Sequence, residues 1–409
     1  MCEMTEAGKG EKMDMETQLE TIHLYDQDAY QTEFSAKVLS CEVNRKNETL
    51  YDVVLDQTVF FPEEGGQSPD KGELNGIQVV DVQICDGIIY HTLEKPLKVG
   101  EVVKGEIDWQ HRFNNMQQHS GEHIFSGIVH RKYGYNNVGF HLSNQIVTMD
   151  FDGVLTETQM EEIEWEVNEV ITKNMMISTS FPTKEELKNI EYRSKKEIEG
   201  QVRLVVIGDV DVCACCAPHV KQTGEIGLFK VMQMQNYKGG VRISFLCGFR
   251  AIMAFRKKAE VVSSLMNCFS TNQEALTENV EKLKSTNQNL KFQLACTKQA
   301  LLSYKTKEIP AEQENVFLFE EELETTVVRN LINELVEKHI GICGVFSGNG
   351  EAGYNYIIGS KTKDCKEIAT LLREKLGARG GGSSAMIQGY VKAKEEEIKQ
   401  FIENVCACY

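Results

Sequence analysis

The chain lacks any apolar run near the roughly 18 residues that cross a bilayer, so no membrane-spanning helix is expected. It has only six prolines in 409 residues. Its thirteen cysteines are an odd number and stand singly except around Cys213 to Cys216 and Cys406 to Cys408. That is not a disulfide framework, and reduced thiols in a cytoplasmic chain are expected. Cys41, Cys85, Cys247, Cys343 and Cys365 read as small buried hydrophobes. Met1 to Glu20 is polar and acid-rich without an apolar stretch, so it reads as a loose tail rather than a secretory signal.

Positive charge is also scarce. Forty-four Lys and Arg stand against 61 Asp and Glu, a net charge of −17. The mean field repels phosphate and argues against indiscriminate nucleic-acid binding, DNA included. One stretch reverses the sign. Between Lys361 and Lys394, eight Lys or Arg face three acids, a local excess of five. A solvated helix face and a site for an anionic partner are both consistent with it.

Residues 21–105 alternate short β-rich runs with turn signals: Ala36 to Val43, Gln78 to Ile84, Gly87 to His91. This pattern predicts a small antiparallel β-barrel. Within it lies a glycine-rich loop, Phe60 to Gly72, whose Gly65-Gly66 pair allows positive φ or close backbone approach. Residues 106–250 mix a helix from Asp108 to about Lys132, a strand over Leu142 to Phe151 and an acid-rich helix over Thr156 to Lys173. Further short strands (Val202 to Ile207, Val210 to Val212, Gly227 to Val231, Gly240 to Leu246) complete a mixed α/β domain.

Residues 251–305 contain neither Pro nor Gly and carry a heptad. Val262, Phe269, Leu276, Leu283 and Leu290 share one position; Met266, Val280, Leu294 and Leu301 share the other, with polar breaks at Gln273 and Asn287. Two readings stand: a coiled-coil-like seam joining two copies, and a long helix folding back on its own chain. Pro310 ends the segment, and the remainder reads as a compact α/β domain. Its glycine loop, Gly377 to Gly389, is flanked by cations, and backbone amides in such a loop can cradle phosphate. The expected class is therefore α+β and multidomain. Its parts are a tail (1–20), a β-barrel (21–105), an α/β metal-binding domain (106–250), a coiled-coil-like helical linker (251–308) and a C-terminal glycine-rich α/β domain (309–409).

The chemistry is carried by two pairs. His119 and His123 lie four apart on a predicted helix, hence on one face. About ninety residues later, Cys215 and His219 repeat that spacing in Cys215-Cys216-Ala217-Pro218-His219. Three imidazoles and a thiolate suit Zn²⁺ in a tetrahedron. Glu122, beside His123, is a candidate for activating water, although adjacent helix positions point about 100° apart. His141 is a candidate pocket residue, with a surface or core histidine as the plainer reading.

Four segments together resemble the long-form alanyl-tRNA editing proteins of the AlaX type, free-standing relatives of the editing and C-terminal domains of alanyl-tRNA synthetase. The family's H-x-x-x-H is matched by His119 and His123. Its C-x-x-x-H before T-G-E-I-G is matched by Cys215, His219 and Thr223 to Gly227. Its F-(Y/F)-P-E-G-G-G-Q loop is matched by Phe60 to Gln67, with Glu64 in place of one glycine. Gly377 to Gly389 looks like the C-terminal glycine signature.

The resemblance implies a trans-editing hydrolase that deacylates mischarged tRNA(Ala), mainly Ser-tRNA(Ala) and also Gly-tRNA(Ala), at a zinc site. A synthetase pocket sized for alanine cannot exclude glycine and rejects serine's hydroxyl only weakly, which is why such proofreading is needed. It selects Cys215 over Cys213 and Cys216 as the fourth ligand, and gives Gln67 an approach to the substrate end. The C-terminal domain would grip tRNA by its backbone. No segment is expected to resemble an aminoacylation core. The family's usual C-G-G-T-H differs from Cys215 to His219 here, and Pro218 is closer to the threonyl-tRNA synthetase editing domain. Ser-tRNA(Thr) editing is thus one alternative; a non-catalytic zinc-stabilised tRNA-binding scaffold is the other.

Overall fold

The computed structural model describes residues 21–143, 146–194, 200–321 and 323–408. The expected N-terminal tail, 1–20, lies outside them. Two compact units divide the chain between Ser263 and Ser264. Among the described residues every cysteine with a described side chain is a free thiol, and no helix is long and apolar enough to cross a membrane.

The first unit opens with strands β1 (Glu33–Val43), β2 (Tyr51–Leu55), β3 (Gly72–Leu74), β4 (Ile77–Cys85), β5 (Ile88–Leu93) and β6 (Val102–Ile107). They close in the order β1-β2-β5-β4-β3-β6, with every neighbouring pair antiparallel. Strand β6 shows why: its residues alternate exposed and buried, so Val103 and Ile107 point into the barrel while Lys104 and Glu106 meet water. The interior holds Phe34, Val53, Leu55, Phe60, Phe61, Leu74, Ile89 and Leu93.

Helix α1 (Trp109–Tyr133) follows at once. Asp108 caps it by accepting from the His111 amide, and Gly134 ends it in the left-handed region. Every residue from Asn115 to Val129 on it is buried, so it is a central rather than a surface helix. Around it lie two sheets. The predicted strand over Leu142 to Phe151 is instead a hairpin, β7 (Asn137–Leu142) with β8 (Val147–Phe151). It joins β12 (Phe229–Tyr237) and β13 (Gly240–Cys247) in the order β12-β13-β8-β7. Helix α2 (Glu157–Thr172), started by a Thr156–Gln159 capping box, covers this sheet's core through Ile163 and Val167. A separate three-stranded sheet is formed by β9 (Ile177–Ser180), β10 (Leu204–Ile207) and β11 (Asp211–Ala214).

The heptad segment is two helices, α3 (Gly248–Phe269) and α4 (Leu276–Lys307). This corrects the continuous seam. Ser270 adopts φ +50°, and the Asn272 side chain accepts from the Ala275 amide, a turn that restarts the helix. The heptad residues Leu283, Leu290, Leu294 and Leu301 are exposed, and only the end of α4 is docked, through Leu302.

The second unit is a five-stranded sheet with helices on both faces. Its elements are β14 (Val316–Glu320), α5 (Thr325–Lys338), β15 (Cys343–Asn349), β16 (Gly353–Gly359), α6 (Cys365–Leu376), β17 (Arg379–Gly382), β18 (Met386–Val391) and α7 (Glu395–Cys408). The strand order is β14-β15-β16-β18-β17, with β14 and β15 parallel and the rest antiparallel. Side-chain alternation assigns the faces. Val345 and Ile357 pack with α5, while Phe346, Tyr356 and Ile358 pack with α6 and α7. The predicted glycine loop is corrected here: Gly377 caps α6, and Arg379–Gly382 is an exposed edge strand rather than a loop.

Candidate metal centre

His119 and His123 project from the buried middle of α1. Cys215 and His219 follow β11, where the chain turns with Arg203 donating to the carbonyls of Cys215 and Ala217, both at 2.9 Å. One ligand atom from each of the four lies within 4.8 Å of all the others. The His119 and His219 Nε2 atoms are each 3.5 Å from the Cys215 sulfur. A tetrahedron with metal–nitrogen and metal–sulfur lengths of about 2.0 and 2.3 Å has an edge of about 3.5 Å, so the donors fit a zinc-sized ion.

Each imidazole is aimed by a partner on its far nitrogen. His119 Nδ1 meets Gln67 Oε1 at 2.9 Å, His123 Nδ1 meets Asp211 Oδ2 at 3.0 Å, and His219 Nδ1 meets Ser120 Oγ at 3.0 Å. Held so, all three present Nε2 to the common centre, as metal-ligating histidines do. Asp211 is itself gripped by Arg193 through two bonds, at 2.7 and 2.9 Å.

Two glycines permit this. At Gly127, one turn after His123, a Cβ would lie 2.5 Å from the Val210 carbonyl oxygen, so only glycine lets the β10–β11 turn close on α1 and deliver Asp211. At Gly66, φ is +83° and a Cβ would stand 2.3 Å from the Phe140 carbonyl oxygen. The barrel loop can therefore lie against β7, with the Leu142 amide donating to Gly66 O and the Ser68 amide to Leu142 O. That contact carries Gln67 to His119. The loop is anchored from below by a buried ion pair that spacing does not reveal: Arg112 on α1 with Asp70, whose carboxylate also accepts from the Phe61 amide.

Burial alone would raise the Cys215 thiol, but the charge of His119 and hydrogen bonds from the three histidines outweigh it and hold it well below the ordinary range. Burial pushes Cys213 up, and pushes Cys216 up with help from Cys215 and Glu64. The thiolate of the cluster is thus Cys215. Burial lowers the His219 imidazole to about 3, keeping it neutral and available as a donor. His123 goes the other way: burial opposes its charge, yet Cys213, Asp211 and Cys215 raise it well above the usual value. Cys213 stays close, forming a second tight group with His123 and Asp211.

The remaining candidates separate. Glu122 is buried, and Oε1 accepts from Ser126 and Asn137, while Oε2 lies 3.9 Å from His123 Nε2, on the side of the centre. Gln67 is fully buried, and its Nε2 has no hydrogen-bond partner among the described residues. His141 is exposed on β7, in line with the plainer surface reading; its neighbour Phe140 lies against His119, ring centroids 4.8 Å apart. Sequence reasoning missed Ser120, Arg193 and Asp211. Ser120 and Asp211 touch the histidines across up to 99 residues and Arg193 holds Asp211, and no local spacing marks such contacts.

Comparison with known proteins fits this geometry. The family model "Threonyl and Alanyl tRNA synthetase second additional domain" matches residues 202–244, which include Cys215 and His219. A second, "tRNA synthetases class II (A)", matches 3–111. The described part of that stretch is the barrel and its approaches. The "Alanyl-tRNA editing protein AlaX-L" of Pyrococcus horikoshii is 28% identical over 92% of this chain and 96% of its own length. The "Alanyl-tRNA editing protein Aarsd1" of Danio rerio is 25% identical over 92% and 96%. The "Alanine--tRNA ligase" of Pyrococcus furiosus is 29% identical over 94% of this chain but only 43% of the ligase. Along nearly its whole length, the chain is thus similar to proteins named as alanyl-tRNA editing proteins, AlaX-L among them.

Proposed function

We propose that the protein hydrolyses the ester joining a wrong amino acid to tRNA(Ala), mainly serine and secondarily glycine, at a zinc ion held by His119, His123, Cys215 and His219. The observation that carries the reading is the convergence of three oriented imidazoles and one thiolate, in a chain related throughout to editing proteins. When bound, zinc supplies Lewis-acid polarisation and lowers the pKa of water towards about 7. The protein's own groups do the rest. Gln67 holds His119 through Oε1, and its buried, unpartnered Nε2 donates to the substrate end; an unmatched buried donor costs about 1–3 kcal/mol that such a contact recovers. The Glu122 carboxylate, beside the centre-facing nitrogen of His123, takes the proton of the attacking water. The C-terminal domain binds the tRNA backbone through its locally basic surface.

A second reading has a specific observation behind it. Four protein ligands complete a tetrahedron, the usual pattern of structural zinc. A zinc-stabilised tRNA-binding scaffold would then bind tRNA without cleaving it. The deciding experiment is deacylation of Ser-tRNA(Ala), Gly-tRNA(Ala) and Ser-tRNA(Thr), with and without chelator. Chelator-sensitive release of serine from tRNA(Ala) is expected. Stoichiometric zinc with no release from any substrate would establish the scaffold, and preference for Ser-tRNA(Thr) would redirect the specificity.

A further inference from the structure

The second unit leaves one part of its sheet uncovered. Register places Ser347, Asn355, Tyr390 and Arg379 opposite one another in a single row across β15, β16, β18 and β17. The next row contains Ile357 and Gln388. Both rows lie on the α5 side, because Ile357 packs with Val328 and Leu331 of that helix. Helix α5 lies mainly over β15 and β16 and reaches β18 through Arg329. The row therefore emerges from beneath α5 as a shallow cavity of about 360 Å³, small for a ligand cleft.

Its chemistry is specific. Tyr390 is 37% exposed, and its hydroxyl is tied to the Ala352 carbonyl, so the ring is held rather than free to swing. Arg379 and Asn355 are exposed, with no side-chain hydrogen bond or ion pair among the described residues. Among the described residues Arg379 is also the one charged side chain lining the cavity, and none of them is an acid. Gln388 is steadied by Arg329, which donates to its Oε1 at 3.0 Å. Val328 and Ile357 floor the cavity.

We propose that this row is a subsite for one unstacked nucleotide of a single-stranded RNA segment. The base stacks on Tyr390, its edge meets the amides of Asn355 and Gln388, and its phosphate pairs with Arg379. An open sheet face carrying an aromatic ring, amides and an unpaired guanidinium is suited to bases that are not paired in a duplex. The choice of RNA rests on the tRNA-editing reading. The position is distinct from the glycine strand that the sequence pointed to: the glycines of β17 supply no side chain, whereas its first residue, Arg379, does.

The test uses the full-length protein and a fluorescein-labelled, short single-stranded RNA of mixed sequence, followed by anisotropy at low and high salt. Tyr390→Leu is expected to weaken binding about fivefold or more, the loss of one base–aromatic stack. Tyr390→Phe keeps the ring and should bind within about twofold of wild type. Arg379→Gln should weaken binding and reduce the salt slope by about one. Zinc content and the thermal transition of each variant check that the fold is intact. Equal binding by folded Tyr390→Leu, or no binding of the RNA by wild type, overturns the subsite. The deacylation assay reads the other claim separately. Serine release that persists beside an inert Tyr390 removes only the subsite, and loss of RNA binding in Tyr390→Leu without any deacylation by wild type removes only the editing role.

Discussion

Asp211→Asn is the most informative single substitution. The change keeps the side chain's size but replaces a carboxylate that accepts from His123 Nδ1 and holds Arg193 bidentately. Loss of such an outer partner typically costs about 10–100-fold in metal affinity, or about 1.4–2.7 kcal/mol. The metal-free fold suffers as well. Arg193 loses its partner, and breaking a buried pair costs about 3–5 kcal/mol; its 15% side-chain exposure puts the loss at the lower end. The two effects are separated by measuring zinc affinity against a chromophoric chelator, and urea unfolding with and without metal. Arg193→Met breaks the ion pair but leaves the Asp211–His123 contact, so it should lower stability with a smaller change in zinc affinity. If folded Asp211→Asn holds zinc as tightly as wild type, the argument that Asp211 orients His123 is wrong.

Gly127→Ala should destabilise the protein by about 1–3 kcal/mol, as overpacking does, and lower zinc affinity, because the added methyl pushes the Val210–Asp211 turn off α1; equal metal binding would refute the close-approach argument. Gly66→Ala, strained at φ +83° and blocked by Phe140 O, should lower deacylation more than zinc content, since it displaces Gln67 from the centre. Arg112→Leu strands Asp70 in the barrel loop and should cost about 3–5 kcal/mol by denaturant unfolding. Burial lowers the His91 imidazole to about 4 inside the barrel. Its folded pKa is depressed below the unfolded value near 6.5, so its contribution is complete above about 6.5 and is lost as pH falls towards about 4, at up to about 1.4 kcal/mol per pH unit. His91→Gln should flatten urea stability against pH across that window.

The two ligand pairs were legible because helical periodicity and a four-residue spacing are local signals, and the structure brings all four donors together. The β-rich run Gln78 to Ile84 is equally legible, and it lies within β4. What escaped depended on distant partners. Ser120 sits beside a ligand in sequence, yet its role is visible only once His219 arrives from 99 residues away. The heptad spacing runs through Ser270 to Asn272, although Ser-Thr-Asn is a turn and cap signal that interrupts the helix there. Arg379–Gly382 looks like a loop in sequence because glycines present no side-chain pattern, while their close backbone approach to β18 is what makes them a strand.

The wide separation of the donor pairs sets an order of assembly during synthesis. As the chain leaves the ribosome, His119 and His123 emerge with only two of the four donors, too few to close a coordination shell. Some ninety further residues must follow before Cys215 and His219 arrive, and Asp211 comes with them. The barrel that supplies Gln67 is by then already outside. At the proposed metal site a four-donor shell therefore closes late, once the central helix and the segment after the β10–β11 hairpin have come together.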